Sequence, residues 1–308
     1  MIEIYRRNRS DESLEKIKRV ETGAWINLVS PTEDELSEIS EKTGADKDLL
    51  KASLDWDEKP RTEIDGKNRL IIARVPYTEK DVMYTLPLGI MITEKHIITV
   101  SNTENIVISD FIENRVKTFY TTKKTRFCLQ ILARTNRNYQ KFLNEIEKKI
   151  DELEKSIMKS FKNEEIIQLL ALQKSLVYIN TAVVSNEKVL ERITGGKIIK
   201  LYEEDEELLE DIVIDNKQSI DMVNIYINIL SNTMDASASL ISYNLNIVMK
   251  FLASVTIILA IPTIVSSFYG MNVELPFEHV PHAFLIVFFM CSALMGLAIY
   301  IFNKRNYF

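Results

Sequence analysis

The sequence predicts an α+β cytosolic domain, a long α-helical stalk and two C-terminal transmembrane helices. Three observations support this class: short runs rich in Ile, Val and Met near the start, long helical periodicity in the middle, and two uncharged runs within the last sixty residues. The chain has 308 residues, 46% of them apolar, so it can bury a sizeable core. We therefore expect one water-soluble end and one lipid-embedded end.

The first domain, residues 1–122, is predicted to be a small mixed α/β unit. Three runs with high β-propensity are flanked by Gly, Pro or Asn and are predicted strands, at 68–75, 85–92 and 96–100. Helices at about 32–43 and 104–119 are expected to cover the sheet. Ser30 is the predicted N-cap of the first helix, with Pro31 at the first helical position and Glu33 three residues after Ser30.

Residues 123–245 are predicted to form a helical hairpin and the start of the stalk, because apolar residues recur there at three- and four-residue steps. The hairpin is expected to turn near Lys162-Asn163 and to end at Gly195-Gly196. A second uninterrupted stretch begins near Glu203 and meets no Pro or Gly before Pro262. About 1.5 Å of rise per residue makes this stretch a rod of roughly 90 Å that enters the membrane without a break.

Two uncharged segments, 251–269 and 283–302, are each long enough to cross a bilayer. Lys250 precedes the first segment and Lys304-Arg305 follow the second, so the positive-inside rule places both chain ends in the cytosol. We expect a multi-pass protein of the inner (cytoplasmic) membrane. The predicted boundaries are 246–308 for the transmembrane domain, about 249–270 and 283–302 for the spans, 271–282 for the outer loop and 303–308 for the cytosolic tail.

Charge and motif content exclude several function classes. A formal net charge of −6 argues against a nucleic-acid partner, which needs clustered Lys and Arg. The sequence has no Gly-rich phosphate loop, no His-Glu-x-x-His and no Cys-x-x-Cys, so neither an enzyme nor a nucleotide cofactor is expected. Cys128 and Cys291 are expected to act as small hydrophobic side chains. Residues 1–16 lack the apolar segment of a signal peptide, so about the first 245 residues are expected in the cytosol.

The motif Tyr269-Gly270-Met271-Asn272 stands where the first uncharged segment ends. Together with two C-terminal uncharged helices behind a long helical rod, this motif resembles the CorA family of divalent cation channels. The resemblance implies a funnel-shaped homopentamer in the lipid bilayer whose transported ion is Mg2+, with Co2+ and Ni2+ as further candidates. It also implies that the four motif residues form the selectivity filter at the outer mouth.

An amide suits this position because Mg2+ dehydrates reluctantly. A ring of neutral Asn272 oxygens can accept hydrogen bonds from the water shell of the ion without stripping it. Gly270 would let backbones approach closely, and its carbonyl is a further candidate acceptor. A carboxylate ring would hold the ion more tightly and release it more slowly, whereas conduction requires release.

The resemblance also assigns one face of the first membrane helix to the pore wall. The matching positions are Asn246, Met249, Leu252, Thr256, Ala260, Thr263 and Ser267, all at three- or four-residue steps. Met249 and Leu252 match a hydrophobic constriction that can close by dewetting, and Asp235 matches a ring of carboxylates at the cytosolic exit. Ala260 and Ser267 differ from the Met and Gly expected in other members, which predicts a wider waist or a lower gate. The alternative is that the Ser and Thr side chains only bond their own backbone or pack against neighbouring helices.

The family resemblance assigns a regulatory Mg2+ site to Asp211, near the acidic run that starts at Glu203. Its partner is expected near Thr78, with Glu79 or Asp81 as substitutes. The hypothesis is that cytosolic Mg2+ neutralises these carboxylates and holds the channel shut. The alternative is that the acidic run is a solvated face.

Three functions compete at this point. The first is a Mg2+ channel, the second a Zn2+ transporter of the related ZntB type or an efflux member, and the third a membrane-anchored coiled-coil scaffold. The scaffold predicts neither a polar stripe nor an amide at the mouth. His279 and His282 are interpreted as loop residues because Pro281 between them disfavours a helix that would join their rings. Scarce Cys and His along the path disfavour a dehydrated Zn2+ site.

Overall fold

The computed structural model describes residues 1–8, 13–79, 82–116, 118–159, 163–273, 276 and 280–305. The described chain forms two compact units, residues 1–233 and 234–308. The first unit holds a sheet and its covering helices, and the second holds the end of one long helix and a second apolar helix. This is the predicted combination of an α+β domain, a long helix and C-terminal apolar helices.

The sheet of the first unit has seven strands in the order β2-β1-β3-β7-β6-β5-β4. The strands are β1 Ile2–Arg6, β2 Glu15–Lys16, β3 Trp25–Val29, β4 Arg61–Asp65, β5 Asn68–Glu79, β6 Val82–Ile92 and β7 Ile97–Ser101. Only the β3–β7 pair is parallel among the described pairs, and the long β5–β6 hairpin pairs Arg69 with Ile92 and Glu79 with Val82 at its two ends. The three predicted strands are confirmed as β5, β6 and β7, with small changes at their ends.

Seven helices complete the described part of the chain. They are α1 Glu33–Thr43, α2 Lys47–Ala52, α3 Ile106–Ile112, α4 Lys124–Lys159, α5 Asn163–Thr194, α6 Glu203–Tyr269 and α7 Ala283–Lys304. The predicted stop of the hairpin is confirmed, since α5 ends one residue before Gly195 and Gly196 has a left-handed φ of 69°. Lys162, where the turn was predicted, lies outside the described residues.

Helices cover both faces of the sheet, and alternating side chains of each strand supply the two cores. Ile26 and Ile72 point to the face that α1 and α2 cover, where Leu36, Ile39 and Leu50 are fully buried. Trp25 and Ile71 belong to the opposite core, together with the aromatic rings of α3 and α4. The sheet is therefore the middle layer of the first unit.

The start of α1 corrects the predicted cap. Thr32, not Ser30, is the N-cap: its hydroxyl accepts from the Glu35 amide at 3.2 Å, and the Glu35 carboxylate accepts from the Thr32 amide at 2.9 Å. Ser30 instead has a left-handed φ of 44° and donates its amide to the carbonyl of Ser101. The strand pairing of β3 and β7 extends into this residue, so the N-cap lies two residues later than predicted.

The predicted helix at 104–119 is also too long. The helix α3 ends at Ile112, and Asn114 follows in a left-handed conformation with φ of 56°. Asp110 accounts for the end of this helix. The amides of Arg115 and Val116 donate to its backbone carbonyl, and Arg134 of α4 donates to its carboxylate at 2.6 Å. Burial raises the pKa of Asp110, but the hydrogen bonds from Arg134 and Asn138 outweigh it and hold the pKa below its usual value.

Side-chain amides fasten the long helices of the first unit to each other and to the sheet. Asn136 of α4 donates to the carbonyl of Ile212 in α6, and Asn216 of α6 donates to the carbonyl of Val183 in α5. Asn186 of α5 both accepts from and donates to the backbone of Arg74 in β5. Each amide is buried, so its loss would leave an unpaired group in the interior.

Three described helices are long and apolar enough to cross a membrane: α5, α6 and α7. The first of these packs against β5 and β6 of the sheet, which accounts for its apolar residues. The helix α7 has 22 residues and is about 33 Å long at 1.5 Å per residue, enough to span a bilayer core. The predicted spans thus coincide with the end of α6 and with α7.

Candidate functional site

The predicted filter motif lies at the C-terminal end of α6, within the second unit. The helix ends at Tyr269, and the amides of Gly270 and Met271 still bond back to the carbonyls of Ser266 and Phe268. A Cβ atom built on Gly270 would lie 3.2 Å from the carbonyl oxygen of Ser266, tighter than normal contact. Glycine therefore allows the last turn to close tightly in front of Asn272.

Asn272 follows this turn with an exposed side chain, and Tyr269 ties the turn to the loop that follows. The Tyr269 hydroxyl donates to the carbonyl of Pro276 at 3.2 Å. This contact fixes the segment on either side of Asn272, so Tyr269 positions the motif through its hydroxyl. The sequence predicted Tyr269 as part of the filter but not this hydrogen bond. No local sequence pattern predicts a contact between Tyr269 and Pro276.

One side of the membrane part of α6 is shielded within the chain. Ser254 is only 1% exposed, and Ile258, Ile261, Val265 and Tyr269 are half-buried. Along α7 the half-buried positions also recur every three or four residues, at Ala283, Val287, Cys291, Met295, Ala298 and Phe302. The two stripes are spaced as one helix packing along another.

The predicted pore-lining residues lie on the other side of α6. Leu252 and Thr256 each stand two residues from Ser254, and Thr263 and Ser267 each stand two residues from Val265. Two residues correspond to a rotation of about 200° around a helix axis, which places the two sets on opposite sides. All the predicted pore-lining residues are exposed in the single chain except Ala260, which is half-buried. The structure therefore leaves this face free for other copies of the chain or for lipid.

Hydroxyl groups in the membrane part of α6 donate hydrogen bonds to the backbone of the same helix, as the alternative to a pore-lining role predicts. Thr256 donates to the carbonyl of Leu252 at 2.8 Å, Thr263 to Leu259 at 3.4 Å, and Ser254 to Lys250 at 2.8 Å. These bonds use the hydroxyl hydrogen and leave the oxygen lone pairs as acceptors. The exposed oxygens of Thr256 and Thr263 can therefore accept hydrogen bonds from water around a cation.

Below these threonines the same face is apolar and then polar again. Met249 is 58% exposed and Leu252 is 57% exposed, which is unusual for large apolar side chains of a folded chain unless lipid or a partner covers them. Asn246 and Asp235 follow toward the N-terminal end of the unit, both exposed. From Asp235 to Asn272 the order on this face is thus a carboxylate, an amide, two large apolar side chains, hydroxyls and a final amide.

The regulatory assignment involves residues of the first unit. Asp211 is exposed on α6 and Glu79 is exposed at the end of β5, whereas Asp81 lies outside the described residues. Within the described part of a single chain, no three His, Cys, Asp or Glu side chains come together as a metal site. The acidic run near Asp211 is not merely solvated, because Asp205 is buried and accepts from Arg126.

Five of the twelve residues of the predicted outer loop lie outside the described residues, among them Glu274, Glu278 and His279. His282 is described and stands directly before α7 with a left-handed φ of 70°. Its carbonyl accepts from the amides of Leu285 and Ile286, so its backbone begins the helix.

Known proteins that resemble this chain match it over nearly its whole length. The family model described as CorA-like Mg2+ transporter protein matches residues 21–305. A relative named cobalt/magnesium transport protein CorA, from Methanocaldococcus jannaschii, is 31% identical over 293 residues, which are 92% of this chain and 90% of that protein. The complete structure of the CorA magnesium transporter from Methanocaldococcus jannaschii superposes with a TM-score of 0.87 at 27% identity, covering 100% of this chain and 99% of the other.

Two more distant structures share the fold. The full-length CmaX protein has a TM-score of 0.74 at 12% identity, covering 99% of this chain and 97% of its own. The cytoplasmic domain of ZntB from Vibrio parahaemolyticus RIMD 2210633 has a TM-score of 0.63 at 12% identity, covering 78% of this chain and 98% of its own. At these identities the likeness concerns the fold alone.

Proposed function

Since this chain belongs to the CorA-like Mg2+ transporter family, we propose that it is a homopentameric channel that admits hydrated Mg2+ through the cytoplasmic membrane. As a member of this family it is a membrane protein that transports divalent cations and is not an enzyme. Beyond family membership, we propose that the ion is Mg2+, that it moves into the cell, that five copies assemble, and that the residues named below line its path. The first membrane helix of each copy would line the path, because two helices from one chain cannot enclose water.

The observation that carries the proposal is the order of side chains on the exposed face of α6. Asn272 offers an amide oxygen at the mouth, and Thr263 and Thr256 offer hydroxyl oxygens whose hydrogens are already used. All three are acceptors for the hydrogens of a water shell, and none carries the full charge that would trap a divalent ion. Mg2+ therefore gains hydrogen bonds along the wall while keeping its water.

The arrangement in the membrane completes this proposal. The termini lie in the cytosol and the loop after Asn272 lies outside, in accordance with Lys250 before the first span and Lys304 at the end of the second. The membrane potential then drives uptake, because it supplies about 4.6 kcal/mol per 100 mV for a divalent ion. Asp235 would line the cytosolic exit and concentrate cations there.

Ion flux into liposomes that contain the purified protein tests the function. We expect Mg2+ entry down its gradient, accelerated by an inside-negative potential, and competition by Co2+ or Ni2+. Zn2+ entry with little Mg2+ entry would favour a Zn2+ transporter instead. Absence of flux for every divalent ion, from a sample that stays monomeric in lipid, would contradict the channel and favour the scaffold.

Regulation by cytosolic Mg2+ is a separate part of the proposal and depends on Asp211. This carboxylate is exposed, and bound Mg2+ would neutralise it together with Glu79 or Asp81 of a neighbouring copy. We expect Asp211→Ala to keep its maximal flux but to need several-fold more internal Mg2+ for inhibition. Asp221→Ala, another exposed carboxylate of α6, is the matched control. An unchanged inhibition curve for Asp211→Ala would remove this residue from regulation.

A further inference from the structure

A basic pocket lies in the first unit where four segments of the chain meet. These segments are the start of β5, the end of β6, the start of α4 with the two residues before it, and the connection between α5 and α6 with the first residues of α6. The cavity has a volume of about 510 Å3, within the range of small-molecule sites. Its lining includes six cationic side chains, namely Lys67, Arg69, Lys123, Lys124, Arg126 and Lys200.

Two carboxylates also line the pocket, and both are already engaged. Glu204 accepts from Lys123 at 2.7 Å, and this hydrogen bond lowers the pKa of Glu204. Asp205 accepts from Arg126 at 3.3 Å. Six lining cations face two lining carboxylates, and Glu94 outside the lining pairs with Lys67, so an excess of three positive charges remains in a chain whose formal charge is −6. The local potential is therefore opposite to that of the whole protein and attracts anions.

The remaining contacts of these cations fix their positions without cancelling their charge. Lys124 donates to the carbonyls of Thr93 and Glu94 at 2.7 and 2.5 Å. Arg69 donates to the carbonyls of Gly66 and Asn68 at 2.7 and 3.0 Å. Carbonyl groups carry no net charge, so these hydrogen bonds hold both side chains in place without adding a counter-charge.

The other two cations stand nearer the rim. Lys67 pairs with Glu94 at 2.9 Å, but both side chains are mostly exposed and solvent screens such a pair. Lys200 places its ammonium group 5.4 Å from the centre of the Tyr202 ring. Lys200 therefore stands at the rim beside an aromatic face.

The first turn of α4 adds backbone donors to the same pocket. Residues 122–126 line the cavity, and the first helical hydrogen bond runs from the Phe127 amide to the Lys123 carbonyl. The Lys123 side chain can only donate, so it cannot cap the amides of this turn, and the turn contains no acidic residue. The amides and the positive end of this 36-residue helix therefore favour an anion at the position that the lysines also favour.

We propose that this pocket binds a small anion with several linked phosphoryl groups, of the di- or triphosphate class. Such a chain of charged oxygens can contact several of the cations and the first-turn amides at once, whereas a single phosphate reaches only some of them. Tyr202 is 54% exposed at the pocket and offers a flat ring to a nucleobase. A nucleoside triphosphate would use this ring, and inorganic polyphosphate would not. The inference concerns binding in the first unit and does not depend on the ion that the channel conducts.

Calorimetric titration of the full-length protein in lipid nanodiscs tests the proposal. The titrants are ATP, tripolyphosphate and orthophosphate, in buffer freed of divalent ions. We expect ATP and tripolyphosphate to bind, orthophosphate to bind much more weakly, and higher salt to weaken all binding. The double substitution Lys123→Gln and Lys200→Gln should weaken the two polyphosphates by at least about tenfold, since it removes two charge-assisted contacts.

The matched control is the double substitution Lys188→Gln and Lys217→Gln, which removes two exposed lysines outside the pocket. It should leave binding within about twofold of wild type, with equal thermal unfolding of both variants as the folding check. Tyr202→Ala should weaken ATP and not tripolyphosphate if the ligand is a nucleotide, and neither if it is inorganic polyphosphate. No binding of either compound to the wild type, or an equal loss in the pocket and control variants, would overturn the proposal.

Discussion

Replacement of Asn272 by Ala is expected to reduce Mg2+ flux at low external Mg2+ by about tenfold or more. In the proposed channel every copy loses one amide oxygen, so the whole acceptor ring disappears from the mouth. Each lost hydrogen bond costs about 0.5–1.5 kcal/mol of binding free energy. A tenfold loss of affinity for the entering ion corresponds to about 1.4 kcal/mol, so the loss of several hydrogen bonds together is enough to cause it. The measurement is initial Mg2+ entry into liposomes under an inside-negative potential.

Two further variants separate the amide from other effects of the substitution. Asn244→Ala makes the same chemical change within α6, and Asn244 lies two residues, or about 200° of rotation, from Asn246 on the proposed pore face. We expect near-normal flux from it. Asn272→Asp should hold Mg2+ more tightly and conduct more slowly at high Mg2+. Equal flux in wild type and Asn272→Ala would remove Asn272 as the filter.

Leu252→Asn is expected to open the apolar constriction that the proposed channel would have at Met249 and Leu252. Leu252 and Met249 are both more than half exposed on the face of α6 opposite the shielded stripe, so several copies around an axis would bring these side chains together. An apolar ring of this kind closes a narrow path because water leaves it. With an amide at this position the path should stay wet, and flux in the presence of millimolar internal Mg2+ should rise several-fold.

Ile247→Asn provides the control for a polar group near the same depth. Ile247 is 46% exposed, and five residues of helix rotate it by about 140° from Leu252, away from the proposed pore face. This variant should retain normal inhibition by internal Mg2+. If both variants leaked equally, the leak would reflect a damaged bilayer seal rather than a gate at Leu252.

Local patterns in the sequence predicted the membrane segments, the helical rod and the filter motif. The absence of charge from 251–269 and 283–302 is enough to predict two spans, because burying charge in lipid costs more than local context can offset. Likewise, the lack of Pro and Gly from Glu203 to Pro262 predicts one continuous helix, which α6 confirms. The motif that ends at Asn272 could be recognised because it stands between the two uncharged segments.

The strand β3 was missed because its sequence looks unfavourable by itself. Asn27 interrupts the apolar run of Trp25–Val29, yet it is 2% exposed in the middle of the sheet. The hydroxyl of Thr99 donates to its side-chain oxygen at 2.9 Å. Thr99 is 72 residues away in sequence, so this hydrogen bond to the buried Asn27 oxygen depends on the parallel pairing of β3 and β7.

The sequence by itself thus determined which segments are apolar enough to enter the membrane and where the motif with Asn272 follows the first of them, since charge, helical period and a contiguous motif are local properties. Tertiary structure alone decided which side of α6 is shielded, where α1 begins, and that Arg69, Lys123 and Lys200 line a single pocket. These outcomes depend on contacts between residues far apart in the chain. A short stretch of sequence does not contain both partners of such a contact. The two side chains meet only when the chain folds, so a local pattern cannot predict the pocket or the shielded side.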